Sequence, residues 1–205
     1  MPRPRFDKLP PEKRRAILDA AGEELATHGF DKASLNAIIA RAGVSKGAFY
    51  YYFDDKVDLF ATVLEDLDAT YAWSDALRAE GVTKDNFWDR MRELTERTFA
   101  DARERPWLMD VGKVFYEVPA EVRESPRLRD VFAHMDAAFQ SFVRRGQEVG
   151  AIRTDLPATL LIALFYAIDQ AFAQWLPAHY GSMGDAERAA FEVASFDLIR
   201  RLADP

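Results

Sequence analysis

The segment SLNAIIARAGVSKGAFYYYFDDK, residues 34–56, carries the most informative pattern in the chain. Ser34 and Ser45 each stand just before a run of helix-forming residues, where a hydroxyl can accept from the open N–H groups of a first turn. Between the two runs lies Ala42-Gly43-Val44. A glycine there can enter the left-handed region that ends one helix and redirects the chain. The pattern predicts a helix over about Leu35–Ala42, a turn of three to four residues, and a second helix over about Lys46–Tyr52. Two short helices joined by a glycine turn form a helix-turn-helix.

The second helix has two faces. Phe49, Tyr52 and Phe53 can pack inward, whereas Lys46, Gly47, Tyr50 and Tyr51 point outward at one- and four-residue spacings. A DNA major groove admits one helix and is read by the residues at its N-terminal end. Gly47 and Ala48 keep that end thin, and Lys46 can donate to guanine or to a phosphate. Tyr50 can donate to a phosphate or lie on a thymine methyl, and Lys56 can clamp a phosphate from the start of the following helix. Ser34 and the first N–H groups of the preceding helix offer a second anion site.

Working outward, the chain of 205 residues has room for one or two domains, and 49% apolar residues supply a core. It has no cysteine, which excludes disulfides and thiolate metal sites and fits a cytoplasmic protein. The N-terminal sequence lacks the apolar run of a secretory signal. The longest apolar segment, Leu156–Leu176, contains Asp169, Gln170 and Gln174, so no membrane span is expected. The net charge of −7 is unevenly spread: residues 1–50 carry nine Lys/Arg against six Asp/Glu, and residues 51–205 carry eighteen against twenty-eight. Contact with phosphates is therefore expected at the N-terminal end only.

The rest of the chain reads as helix. A first helix over about Pro11–His28 has a stripe of Ile17, Leu18, Ala21 and Leu25 and is stopped by Gly29. A long helix over about 55–79, with Asp54 or Asp55 as cap, carries Leu59, Phe60, Val63, Leu64, Leu67 and Tyr71 on one face and ends at Gly81. Further helices are predicted over about 84–103, 107–118, 126–149, 156–176 and 185–202, separated by prolines and glycines. The expected fold class is all-α: a flexible basic arm over residues 1–10 with Arg3, Arg5 and Lys8, a three-helix head over 11–56 with its motif at about 34–53, and a larger helical body over 57–205, joined by the long helix.

Residues 11–71 resemble the DNA-binding domain of TetR-type transcriptional regulators. The resemblance rests on Arg15, Ile17, Leu18, Ala20 and Ala21, on Gly29-Phe30, and on Ser34, Ile38, Ile39, Ala42-Gly43-Val44-Ser45, Gly47, Tyr50, Tyr52-Phe53, Lys56 and Leu59 at fixed spacings. It extends more weakly to residues 150–156 and the apolar helix that follows. It implies that Ser34, Asn36, Ser45, Lys46, Gly47, Ala48, Tyr50, Tyr51, Tyr52 and Lys56 fall on DNA-contacting positions; of these, Asn36 and Lys46 are expected to read bases, because both side chains carry directional donors. The run Tyr50-Tyr51-Tyr52 departs from members that carry His at its second or third place.

The resemblance further implies a repressor that acts as a homodimer on a double-stranded palindromic operator, pairing through helices of about 156–176 and 185–202. It also implies release by a small, largely apolar effector. Candidate pocket residues in the aromatic-rich body are Trp107, Phe115, His134, Met135, Phe139, Tyr166, Asp169 and Gln170. Neither a cofactor nor a metal is expected, since His134 and Asp136 point to different sides of one helix. Two rival readings are an enzyme of the helical body and a DNA-bound scaffold without an effector. The first has no nucleophile–base constellation, phosphate loop or H-E-x-x-H pattern behind it.

Overall fold

A computed structural model of the chain describes residues 5–70 and 81–205. Arg3 of the arm, Tyr71, Trp73 and the predicted course of the long helix to residue 79 lie outside the described residues. Helices α1 (Pro11–Lys32), α2 (Leu35–Arg41), α3 (Lys46–Tyr52), α4 (Lys56–Thr70), α5 (Lys84–Glu104), α6 (Trp107–Glu117), α7 (Ala120–Arg123), α8 (Pro126–Glu148), α9 (Ala158–His179) and α10 (Asp185–Ala203) follow in chain order, with one 3-10 turn at Tyr180–Ser182. Among the described residues there is no strand, so the all-α reading holds.

Helix boundaries follow local chemistry. Pro11 occupies the first turn of α1, where its missing N–H costs nothing. Gly29 breaks α1 with φ 70° and ψ 169°, and the remaining turn drives Phe30 inward until it lies 5.5 Å from Phe60. The Asp55 carboxylate accepts from the Asp58 N–H at 2.8 Å and caps α4. Two details differ from expectation. Residues 120–123 form an extra helical turn after Pro119. Pro177, expected as a breaker, lies within α9. It falls in the last turn, where a proline removes one hydrogen bond at most before the helix ends anyway.

The described residues fall into two compact units, one of 5–70 with 107–133 and one of 81–106 with 134–205. The first is larger than the 11–56 segment read as a head, because α4, α6, α7 and the start of α8 belong to it. Trp107, 5% exposed, lies on Gly22 of α1 and donates from Nε1 to Asp19 Oδ1 at 3.2 Å. Arg127, at the start of α8, grips α4. Its Nε donates to Asp58 Oδ1 at 3.0 Å, and its two terminal nitrogens donate to the two oxygens of Glu65 at 2.6 Å each. The other Asp58 oxygen accepts from the Asp54 N–H at 3.2 Å. The hydrogen bonds that the Arg127 guanidinium donates to Glu65 and Asp58 hold it above its ordinary range against the opposing effect of burial.

The second unit has its own core of Phe87, Trp88, Met91, Phe142, Val143, Ile152, Leu161, Phe165 and Phe196 with smaller neighbours. Trp88 Nε1 donates to the Ala151 carbonyl at 3.0 Å, and the Arg153 N–H to the Ala203 carbonyl at 2.7 Å. These bonds satisfy polar atoms of the loop between α8 and α9.

Two outcomes test this packing. A Cβ at Gly22 would come within 2.4–2.6 Å of three carbons of the six-membered ring of Trp107, far closer than van der Waals contact. Gly22→Ala should therefore destabilise the protein by about 1–3 kcal/mol, although alanine is otherwise favoured over glycine in a helix by roughly 1 kcal/mol. Trp107→Leu should relieve part of that cost in the double variant, as read from urea midpoints. Arg127→Met should cost about 2–4 kcal/mol, because it strands the nearly buried Asp58 carboxylate. Glu65→Gln should cost clearly less, since the Glu65 side chain is one-third exposed.

Candidate nucleic-acid interface

The interface is built on three short pieces of backbone. The Ser34 hydroxyl accepts from the Ala37 N–H at 3.4 Å, capping α2. The Ser34 N–H donates at 3.0 Å to Oε1 of Glu24, a carboxylate of α1 only 4% exposed. A buried negative charge beside a helix N-terminus is stabilised by the dipole of that helix. It also occupies one of the N–H groups expected to be open to an anion. At the turn, the Gly43 and Val44 N–H groups bond the carbonyls of Ala40 and Ile39 at 3.3 Å each. Gly43 has φ 65°, the left-handed conformation that glycine enters without strain. The Ser45 hydroxyl then accepts from the Ala48 N–H at 3.1 Å and starts α3.

α3 divides into the two expected faces. Phe49 and Phe53 have no exposed surface, and their ring centroids lie 5.1 Å apart. Tyr50 is 42% exposed and Tyr51 48%. Ser34, Asn36, Ser45, Lys46 and Gly47 are exposed as well, and Ala48 is half-buried. A Cβ at Gly47 would meet nothing within 4 Å, so this end of the helix is bare. Tyr52 is half-buried, with its ring against Phe6 and Tyr51.

Lys56 has a structural task of its own. Its Nζ donates to the carbonyls of Asp31 at 3.0 Å and Ala33 at 3.3 Å, and lies 4.8 Å from the Phe30 ring centre. Two of its three donors thus fasten the end of α1 to the start of α4.

Sequence reasoning missed three residues that hold this surface. Phe6 is buried at 3% exposure, 5.0 Å from Phe53, so the chain from residue 5 onward is packed where a flexible arm was expected. A lone aromatic among charged residues and prolines was the available signal. Glu24 and Arg127 gave no local signal, because their partners are ten and at least sixty-two residues away.

The eight residues expected to line an effector pocket are divided between the two units. Trp107 and Phe115 belong to the first unit, where Trp107 packs on α1 and Phe115 on Phe132 at 4.9 Å. The other six belong to the second unit. There Phe139 lies 5.0 Å from Tyr166, whose hydroxyl donates to Asp136 Oδ1 at 3.1 Å. Burial, then the Asp136 charge, push the Tyr166 phenol far above its usual range, which keeps it a proton donor. Met135 is half-buried, and His134, Asp169 and Gln170 are exposed.

Known proteins share this arrangement. Residues 17–63 match the family model described as bacterial regulatory proteins, tetR family. The chain is 29% identical over 157 residues to the HTH-type transcriptional repressor AcnR of Corynebacterium efficiens, covering 74% of this chain and 75% of that protein. It is 28% identical over 189 residues to the HTH-type transcriptional regulator TtgR of Pseudomonas putida, covering 86% and 87%. In fold it is similar to the fatty acid degradation regulator FadR of Bacillus halodurans, with a TM-score of 0.70, 19% identity and coverage of 91% and 97%. It is also similar to FadR of Bacillus subtilis in complex with stearoyl-CoA, with a TM-score of 0.68, 17% identity and coverage of 90% and 96%. AcnR, TtgR and the Bacillus subtilis FadR are transcriptional regulators. The chain, whose α3 is anchored by two buried phenylalanines, thus matches the tetR family model over residues 17–63 and is similar along most of its length to transcriptional regulators.

Proposed function

We propose that the protein is a homodimeric repressor that reads a palindromic operator and leaves it when a small, largely apolar effector binds. The observation that carries the reading is the division of α3 into a buried face of Phe49 and Phe53 and an exposed face that begins at Lys46 and Gly47. In this reading Lys46 and Asn36 meet base edges. Ser34, Ser45, Gly47, Ala48, Tyr50, Tyr51 and Tyr52 follow the groove wall and its phosphates. Lys56 spends its third donor on a phosphate while the other two hold the head together.

The dimer reading rests on α9 and α10. Residues Ala158–Ser182 are apolar and long enough to span a membrane by length and composition, yet only 17% of the most apolar stretch is buried within the chain. Leu160 and Trp175 on α9 are 45% and 38% exposed, and Val193 and Leu198 on α10 are 53% and 51% exposed. Asp169, Gln170 and Gln174 sit within the α9 stretch, where a bilayer would penalise them and a protein interface can accommodate them. A second copy covers such a surface by an isologous contact of two helices from each subunit. It also sets two recognition helices about one DNA turn apart, roughly 34–36 Å.

For the effector, the half-buried rings of Phe139 and Tyr166 supply apolar surface, with Asp136 and the Tyr166 hydroxyl as polar handles. A relative in fold whose complex holds stearoyl-CoA makes a long apolar ligand a reasonable class to test first. An effector that prefers one body conformation lowers operator affinity by the ratio of its affinities for the two states.

Selection of bound duplexes from a random pool should return a palindrome; recovery of sequences without a common site would refute specific reading. Against the selected site, Lys46→Ala should relax preference at one position per half-site by about 1–3 kcal/mol. Lys56→Ala should weaken all duplexes alike and also lower the stability of the head by roughly 1 kcal/mol, since two carbonyls lose their donor. Leu198→Glu should yield a monomer by light scattering and weaken operator binding roughly a hundredfold or more, as expected when two linked sites become one.

A further inference from the structure

We infer that Arg5 is a phosphate-contacting residue of the DNA interface, held in place by Phe6 and Tyr51; the inference rests on the DNA-binding reading above. The helix-turn-helix pattern does not include either Arg5 or Phe6. Phe6 is 3% exposed, and its ring lies 5.0 Å from Phe53 and 6.2 Å from Tyr52. The Leu9 N–H bonds the Phe6 carbonyl at 3.0 Å, closing a turn that leads into Pro10 and α1. The backbone at residue 6 is therefore fixed to the inner face of α3 and to the first turn of α1.

That anchor decides where the next charge goes. The guanidinium carbon of Arg5 sits 4.3 Å from the ring centre of Tyr51, on the exposed face of α3. Arg5 itself is exposed, and Tyr51 is 48% exposed. A cation–π contact holds an arginine by its face without using any N–H as a hydrogen-bond donor. The five donors are then left for a planar or branched anion, and a phosphodiester is the anion that a recognition helix meets on entering the groove. The Tyr51 hydroxyl on the same side adds a sixth donor.

Arg5 and Lys46 bracket the exposed length of α3, Lys46 at its first residue and Arg5 over the ring of its sixth. One marks the end that meets bases, the other the end that meets the backbone. An arm free in solution would bring its charge to DNA only after losing conformational freedom. An arm anchored by a buried phenylalanine has already lost it, so the contact is pre-organised.

The test uses the full-length protein, a palindromic duplex recovered by selection, and a random duplex of equal length, with dissociation constants measured across a series of salt concentrations. Arg5→Gln should weaken both duplexes about five- to tenfold near physiological salt and lower the slope of log K against log salt by about one. Phe6→Ala should produce the same loss of slope by releasing the anchor. Thermal melting identifies any unfolding of the head, and Phe6→Leu, which keeps a smaller anchor, should lie between Phe6→Ala and the parent. The variant with both Arg5→Gln and Phe6→Ala should have the slope of either single variant, because one contact is lost in each. An unchanged slope in Arg5→Gln would overturn the assignment. A full Arg5 contribution persisting in folded Phe6→Ala would overturn the anchoring by Phe6. Failure of the parent protein to bind either duplex would instead remove the DNA-binding reading itself.

Discussion

The burial of Phe49 and Phe53 is the interaction on which the DNA-reading surface depends. α3 has seven residues, far below the length at which an isolated helix persists in water. It exists because these two rings have no exposed surface and lie against each other at 5.1 Å. Tertiary packing supplies the stability that propensity does not, and this frees the outer face from any structural demand. Lys46 and Gly47 are exposed and Tyr50 and Tyr51 about half exposed, so that face can carry whatever residues an operator requires without loss of fold.

A second constraint shapes the charge around this helix. Glu24 sits buried at the start of α2, and Lys56 sits on the carbonyls at the end of α1. Each places a charge of the sign that the local helix dipole favours. The end of α1 is thereby tied to α4, and the start of α2 to α1, by ionic groups, while aromatic rings pack α3. The same arrangement assigns tasks. Groups that close the helix ends have donors or charge already committed: the Glu24 carboxylate to the Ser34 N–H, and two Lys56 donors to the Asp31 and Ala33 carbonyls.

Much of this was legible in the sequence, for a physical reason. The caps at Ser34, Ser45 and Asp55, the left-handed glycines at 29 and 43, and the periodic apolar stripes all act within a few residues of themselves. α3 lies at Lys46–Tyr52 as expected, and α2, α5, α6, α8 and α10 end within about one residue of the expected positions. What was not legible depends on long-range partners. Arg127 finds Asp58 and Glu65 across more than sixty residues, Trp107 finds Gly22 across eighty-five, and Phe6 finds Phe53 across forty-seven. Composition treated Trp107 and Phe115 as equal to Phe139 and Tyr166, since an aromatic residue carries no mark of whether it will pack against a glycine or beside a carboxylate. The division into two units separates them.

The Arg127 network ties the first turn of α8 to α4 and to the backbone that follows α3. Arg127 lies in the first turn of α8 and binds Asp58 with one nitrogen and Glu65 with two. Asp58 in turn holds the N–H of Asp54, one residue beyond the end-cap of α3. Three carboxylate and guanidinium groups at 10%, 34% and 19% exposure form a rigid joint only while their geometry is met, because each is costly to leave unpaired once desolvated. An apolar surface can slide at small cost, whereas a displaced guanidinium leaves desolvated carboxylates without their donor, so this network fixes the position of α8 on α4 more sharply than an apolar contact would. Arg127 and Asp58 thereby hold the start of α8 in a defined relation to the backbone that follows α3.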